Sequence, residues 1–236
     1  MPPFDKCSLD AAAYTPAEAA CILGLSASTV RNWSFGQSGR VRKGQRERFQ
    51  PVIEAADSSR KLLSFANLCE LHLLSAIRRQ HRITLPVVRQ SVRYVQQHMA
   101  KQRPLIDVEF RTNGISLFVE QASRLLDVSR EGQMALRGDF ERALSRIERD
   151  STGNPVRLFP YTRSRSDPPD SLALVAVDPE VAFGRPMLVG AGVKTEVVAS
   201  RFGAGDEPAD MATDYGVPLD TILEALRYEQ RALKAA

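Results

Sequence analysis

In the first hundred residues, apolar positions recur every three or four residues, the period of helices that bury one face. Ala20, Ile22 and Leu23 run up to Gly24, and Val30 and Trp33 follow at helical spacing. Ahead of them, Thr15-Pro16-Ala17-Glu18 has the form of a capping box, with proline at the first helical position, where its missing N–H costs nothing. Gly24 suits the left-handed residue that ends a helix, and Ser26 the N-cap that starts the next. Tyr14–Trp33 therefore predicts two short helices joined by a tight turn, a helix-turn-helix. Leu62–Gln80 predicts a longer helix, with Phe65, Leu68, Leu71, Leu74 and Ile77 inward. Thr84–Met99 predicts another, with Pro86 near its start and Val88, Val92 and Val95 inward.

The pattern then changes. Ile106–Val119 reads as two β-rich runs around Asn113-Gly114, a strong hairpin signal. Phe140–Arg149 predicts a short helix. Asn154–Asp170, rich in Pro, Arg and Ser, predicts a domain boundary with one strand around Arg157–Phe159, and Leu172–Val177 a further strand. Near the C-terminus, Ala212, Gly216 and Ile222 repeat the spacing of Ala20, Gly24 and Val30, which predicts a second helix-turn-helix. The expected fold is mainly α with small β elements. It comprises a winged helix-turn-helix with two following helices (12–103), a β-hairpin-containing middle region and linker (104–170), and a C-terminal helix-turn-helix-like three-helix unit (171–236).

If Val30 and Trp33 face inward, Ala27, Ser28, Arg31 and Asn32 face outward, with Thr29 beside them. Hydroxyl, amide and guanidinium groups on one short helix suit the floor of a DNA major groove, so Ser28, Thr29, Arg31 and Asn32 are the candidate DNA-reading residues. A two-helix corner in an unrelated helical domain is the plain alternative. Arg40, Arg42, Lys43, Arg46 and Arg48 follow, interleaved with glycines and closed by Phe49 and Val52. They suit a wing laid on the phosphate backbone, where contacts position a protein without reading sequence; a disordered basic loop is the alternative. Charge supports the first reading. Residues 1–103 hold 16 Lys and Arg against 7 Asp and Glu, whereas residues 104–236 hold 16 against 21. The electrostatic footprint of a phosphate-binding surface lies in the half that carries the helix-turn-helix. The second unit differs at the outward positions, where Asp220, Leu223 and Glu224 stand for Ser28, Arg31 and Asn32. Carboxylates repel phosphates, so this face suits a protein partner, or packs on its own domain.

Other classes find little support. No apolar run approaches the roughly 18 residues of a membrane span, and the N-terminal residues lack the pattern of a signal peptide; the expected location is the cytoplasm. Cys7, Cys21 and Cys69 show no metal spacing, and His72, His81 and His98 no ligand pairing. Asp206, Asp210 and Asp214 lie four apart but have no accompanying histidine, and read as a solvated stripe. No phosphate-cradling glycine loop or nucleophile elbow is present. No enzyme activity, metal or cofactor is expected.

Two parts of the chain resemble known families. Tyr14–Trp33, the basic segment after it and the helix SFANLCELHLLSAIRR are similar to the MerR-type winged helix-turn-helix. Asp178–Glu229 resembles a small family known only as a domain of unknown function, found largely in bacterial toxin–antitoxin operons. The likeness rests on Gly184-Arg185-Pro186, the turn at Gly190–Val193, Ala204-Gly205-Asp206 and Asp214-Tyr215-Gly216. It departs at Ala191 and Gly192, where threonine and arginine are usual in that family. The combination resembles a VapB-type antitoxin. That resemblance implies a protein that silences a PIN-like ribonuclease toxin and represses its own operon by binding double-stranded DNA. PIN-like enzymes hold Mg²⁺ with carboxylates, so a cation could block such a site. Arg227, Arg231 and Lys234, on one face of the last helix, are the candidates, with Arg163 and Arg165 in the linker as second choice. A homodimer is expected of helix-turn-helix proteins. The rival reading is a stand-alone MerR-like regulator sensing a small ligand; an excisionase-like architectural protein would leave the acidic C-terminal half without a role.

Overall fold

Thr15 starts the first helix as the sequence predicts: its hydroxyl accepts from Glu18 N–H while the Glu18 carboxylate accepts from Thr15 N–H. Helix α1 (Pro16–Leu23) ends at Gly24, whose φ of 61° is left-handed, and α2 (Ala27–Phe35) begins at the N-cap Ser26. This computed structural model describes residues 9–42, 45–80, 83–126, 129–162 and 173–235. A two-stranded antiparallel hairpin follows α2, formed by β1 (Gln37–Arg42) and β2 (Gln45–Phe49). Two long helices come next, α3 (Phe65–Gln80) and α4 (Leu85–Met99). Buried Val30, Trp33, Leu68, Leu71, Leu74 and Val95 place the helical stripes read from the sequence inside one core.

The middle of the chain corrects the sequence reading. Ile106–Val119 is not a hairpin. Two single 3₁₀ turns, Pro104–Ile106 and Val108–Phe110, lead into helix α5 (Gly114–Leu126). Buried Ile115, Phe118, Val119 and Ala122 have helical spacing, and that packing outweighs the turn preference of Asn113-Gly114. Gly114 serves a close approach instead, since a Cβ there would lie 2.3 Å from the Phe110 ring. Helix α6 runs over Arg130–Leu144, with the Ser129 side chain accepting from Gly132 N–H at its start. It ends before Arg149, and β3 (Ile147–Arg149) instead pairs antiparallel with β4 (Pro155–Leu158). The middle region therefore has its hairpin, about forty residues later than the Asn-Gly signal placed it. The apolar core is continuous from Tyr14 through Phe140 to Leu158, across residue 103.

A smaller core lies in the C-terminal part. Strand β5 (Val175–Ala176) pairs with β6 (Met187–Leu188), and helices α7 (Thr195–Gly203), α8 (Pro208–Tyr215) and α9 (Leu219–Ala235) bury Leu188, Val198, Met211, Ile222 and Ala225 between them. The repeat of helix, glycine turn and helix holds in three dimensions. Gly216 has φ 63°, and Val217 N–H reaches Ala212 O at 3.0 Å, as Leu25 N–H reaches Ala20 O at 2.9 Å. Asp206 precedes α8 rather than sharing a helix with Asp210 and Asp214. Arg201 bridges it to Asp214 at 2.6 and 2.7 Å, and lies over the Tyr215 ring. Among the described residues no helix is long and apolar enough to cross a membrane, and no group of His, Cys, Asp and Glu is arranged to hold a metal ion.

Candidate nucleic-acid interface

Helix α2 is fixed from three sides. Val30 and Trp33 anchor its inner face, and α1 packs across it. Its last turn is tied down by Val52 N–H, which donates to Trp33 O at 2.7 Å just after the wing strands. That leaves Ser28 and Arg31 exposed and Thr29 and Asn32 half-buried. The N-cap Ser26 organises the hydroxyls at the helix start: its Oγ accepts from Thr29 N–H at 3.2 Å and shares hydrogen bonds with Ser28 Oγ at 3.0 Å and Thr29 Oγ1 at 2.9 Å. Hydroxyls and N–H groups at a helix N-terminus can bond base edges or the phosphates beside them. Arg31, one turn further along, shares its exposed side.

The basic residues after α2 fall on the hairpin. Arg40 and Arg42 lie on β1 and Arg46 and Arg48 on β2, with Ser38 opposite Arg48, Val41 opposite Arg46 and Arg42 opposite Gln45. Lys43 lies outside the described residues, as do Cys7, His81, Arg163 and Arg165. Cys69 is buried, and burial pushes its thiol well above the ordinary range. Cys21 is half-buried. The His72 ring stacks on Tyr161 with 5.0 Å between centroids.

The second cluster of candidates divides. Asp220 and Arg227 are exposed and Leu223 is half-buried. Glu224 is 1% exposed and accepts from the Thr162 hydroxyl and, at 3.0 Å, from Arg227. Arg231 points into the molecule. Its guanidinium donates to Ile22 O at 2.9 Å and to Tyr161 O, and lies 4.9 Å from the Tyr228 ring centroid. Burial holds this arginine below its ordinary range, against the opposing influence of Tyr228 and Glu229. Lys234 sits on α9 one turn beyond. Glu224 and Arg231 are thus committed to internal contacts. The helical spacing that grouped Arg227, Arg231 and Lys234 carries no information about which part of the face another domain covers.

What covers it is the helix-turn-helix itself. Tyr228 Oη donates to Ile22 O at 3.2 Å, so the last turn of α1 is capped by two side chains of α9. Arg185 pairs with Glu18 at 2.7 Å, and Tyr14 Oη donates to Gly184 O at 3.3 Å. Burial works to raise the Glu18 carboxyl, but hydrogen bonds from Thr15 and the Arg185 guanidinium outweigh it and hold the group below its usual range. Helix α9 and the Gly184-Arg185 segment grip α1, while Ser28 and Arg31 of α2 stay exposed among the described residues. Tyr14 and Tyr228 were not singled out in the sequence; each is an aromatic residue with a polar tip, and only the fold shows which carbonyl that tip reaches.

Comparison with known proteins follows the same division. Residues 12–92 match the family model described as "Putative DNA-binding HTH domain", and residues 175–228 match "Protein of unknown function (DUF433)". The chain is 27% identical over 234 residues to the "Putative antitoxin VapB45" of Mycobacterium tuberculosis (strain ATCC 25618 / H37Rv), covering 92% of this chain and 93% of that one. It is 25% identical over 240 residues to "Uncharacterized protein Rv2308" of the same organism, covering 94% and 92%. The X-ray crystal structure of Rv2018 from Mycobacterium tuberculosis superposes with a TM-score of 0.68 at 22% identity, over 92% of this chain and 99% of that one, which shows a shared fold. The chain thus carries an N-terminal segment similar to the family described as "Putative DNA-binding HTH domain" and a C-terminal segment similar to DUF433, and it is similar over nearly its whole length to the protein named VapB45.

Proposed function

We propose that this protein is an antitoxin of the cytoplasm that binds double-stranded DNA at its own operator, as a homodimer, and neutralises a PIN-like ribonuclease toxin. The observation that carries the DNA half is the exposure of one face of α2 alone: α1 is covered by α9, whereas Ser28 and Arg31 face outward beside the basic hairpin. Ser28, Thr29, Arg31 and Asn32 would read base edges. Arg40, Arg42, Lys43, Arg46 and Arg48 would sit on phosphates. The antitoxin half is supported by the nearly full-length likeness to the VapB45 protein. Asp220, Leu223, Arg227 and Lys234 are the α9 residues this reading leaves for the toxin. No catalytic step is assigned.

The test is growth of a host expressing the adjacent reading frame, with and without this protein. Arrest that this protein relieves, with the two chains co-purifying, supports the reading. Arrest it cannot relieve counts against it. In parallel, a duplex from the upstream region should bind with affinity that falls steeply as salt rises.

A second reading, a regulator sensing a small ligand, has one observation in its favour. A cleft of about 250 Å³ lies between the end of α2, the segment after the wing, and α3 and α4. Ser34 of α2 and Glu70 border it, and the buried Ser34 Oγ has no hydrogen-bond partner among the described residues. A ligand-dependent change in operator affinity without any toxin gene nearby would favour this second reading.

A further inference from the structure

Residues 182–184 make a single left-handed turn. Ala182, Phe183 and Gly184 have φ of 50°, 55° and 69°, and Arg185 N–H closes the turn on Ala182 O at 3.1 Å. Only the glycine accepts this conformation without strain; a bulky aromatic there is an outlier that persists where its surroundings enforce it. The surroundings here belong to the helix-turn-helix. Tyr14 Oη donates to Gly184 O and would lie 2.0 Å from any Cβ at that position, and Arg185 is held by Glu18. The strained turn does not bury its aromatic side chain. Phe183 is 93% exposed, with Val181 beside it at 39%.

Two residues on, Arg185 and Pro186 form one wall of a cleft of about 260 Å³ between α1 and the C-terminal domain. Ala17, Ile22 and Pro186 make its apolar lining, and Glu18, Glu196 and Glu229 bring carboxylates to it against one cation, Arg185, among its described lining residues. Glu18 is neutralised by Arg185. Glu196 meets Lys194 at 3.3 Å in an exposed pair, which counts for little. Glu229 takes a hydrogen bond from the Thr195 hydroxyl and forms no ion pair among the described residues. A half-buried carboxylate on an apolar wall calls for a cation carried on an apolar stem, such as a lysine or arginine side chain.

We propose that Phe183 and this interdomain cleft together form the docking surface for the protein partner, which presents an apolar pocket to Phe183 and a lysine or arginine to Glu229. The proposal rests on the antitoxin reading and moves the centre of the contact from Asp220, Leu223, Arg227 and Lys234 to the loop held by α1 and the Glu229 side of α9. Phe183 stands two residues along the chain from Arg185, which walls the cleft that Glu229 lines, and an aromatic anchor combined with a partly buried charge is a composition that interface hot spots use. Backbone strain of this kind clusters at ligand clamps and other functional sites.

The test uses the full chain co-expressed with the product of the adjacent reading frame. Phe183→Asp should weaken the complex about 30-fold or more, and Glu229→Gln, which keeps the bond to Thr195, about tenfold. Phe183→Gly is the discriminating variant: it should lose the partner while raising the free protein's melting temperature by roughly 2–4 °C, because glycine relieves the left-handed strain. If the wild-type chain captures the neighbour and all three variants capture it equally well, the docking surface is overturned and the antitoxin reading stands. If the wild-type chain captures nothing, both fall. If light scattering shows that Phe183→Asp instead splits an oligomer of this chain with partner capture unchanged, the surface is a self-contact and the proposal is overturned.

Discussion

At the scale of single residues, Arg31 and Arg42 separate the two jobs that a basic surface can do on DNA. Arg31 stands exposed on α2, and Arg42 lies at the end of β1. If Arg31 meets a base edge, Arg31→Ala should cost about 1–3 kcal/mol of discrimination between the operator and a scrambled duplex. Arg42→Ala should weaken both duplexes alike and reduce the slope of log affinity against log salt by about one. Fluorescence anisotropy across a salt series reads both effects; equal losses for both variants on both duplexes would remove Arg31 from the reading face. Glu70 makes a different residue-scale prediction. Burial raises its carboxyl from an ordinary value of 4.5 to about 7, even though Arg103 donates to it at 2.8 Å and Asn67 at 2.9 Å. Between those two pH values the folded chain holds a proton that the unfolded chain has released, so this group's contribution to stability falls as pH rises through the window. Urea unfolding at pH 4.5, 5.5 and 7 should show that decline in the wild type, and Glu70→Gln should flatten it. A slope unchanged by the substitution would mean that Glu70 is ionised throughout.

At the scale of elements, the N-terminal half was readable because local signals and burial agree there: the capping box, Gly24, Ser26 and the stripes of α3 and α4 all point to the same helices. At residues 106–126 two local signals conflict. Asn113-Gly114 offers a hairpin turn, while Ile115, Phe118, Val119 and Ala122 offer a helical face. The core decides for the helix because Phe110 and Phe118 both pack edge-on against Phe140, about thirty and twenty residues away, a contact no short window contains. The exposed face of α2 was readable for the same reason as its helix. The closure of α9 over α1 was not, because Arg231 and Ile22 are separated by 209 positions. Two glycines test this account. Gly138 lies within α6, where a Cβ would lie 3.3 Å from the end of the half-exposed Arg142 side chain, which is also bonded to Asp139, so Gly138→Ala should stabilise the chain by at most about 0.5–1 kcal/mol. Gly114 also lies in a helix, but an added methyl meets the Phe110 ring, so Gly114→Ala should destabilise by about 1–3 kcal/mol. A denaturant midpoint that rose for Gly114→Ala as well would contradict the packing at Phe110.

At the scale of the whole molecule, the two cores are joined through the turn that defines the helix-turn-helix. Gly24 takes its left-handed φ to end α1, and the Arg231 guanidinium lies 2.8 Å from where a Cβ of that residue would be. Gly24 therefore answers two demands: the backbone of its own turn, and room for a side chain of the C-terminal domain. Each has its own energy, and they can be separated. Gly24→Ala should lose about 1–2 kcal/mol to left-handed strain and a further amount to the displacement of Arg231. Arg231→Ala should lose about 1–3 kcal/mol by stripping a donor from the carbonyls of Ile22 and Tyr161. The double variant removes the guanidinium that the new methyl would strike, so its loss should be smaller than the sum of the two single losses, by more than the roughly 0.5 kcal/mol within which distant sites are additive. Tyr228→Phe serves as the reference: it removes a neighbouring bond to the same carbonyl without touching the space at Gly24, and should combine additively with Gly24→Ala. Strict additivity of Gly24→Ala with Arg231→Ala would mean that α9 does not close on the turn in solution. Coupling confined to the arginine would establish that the C-terminal domain is in direct mechanical contact with the helix pair that carries the DNA-facing residues.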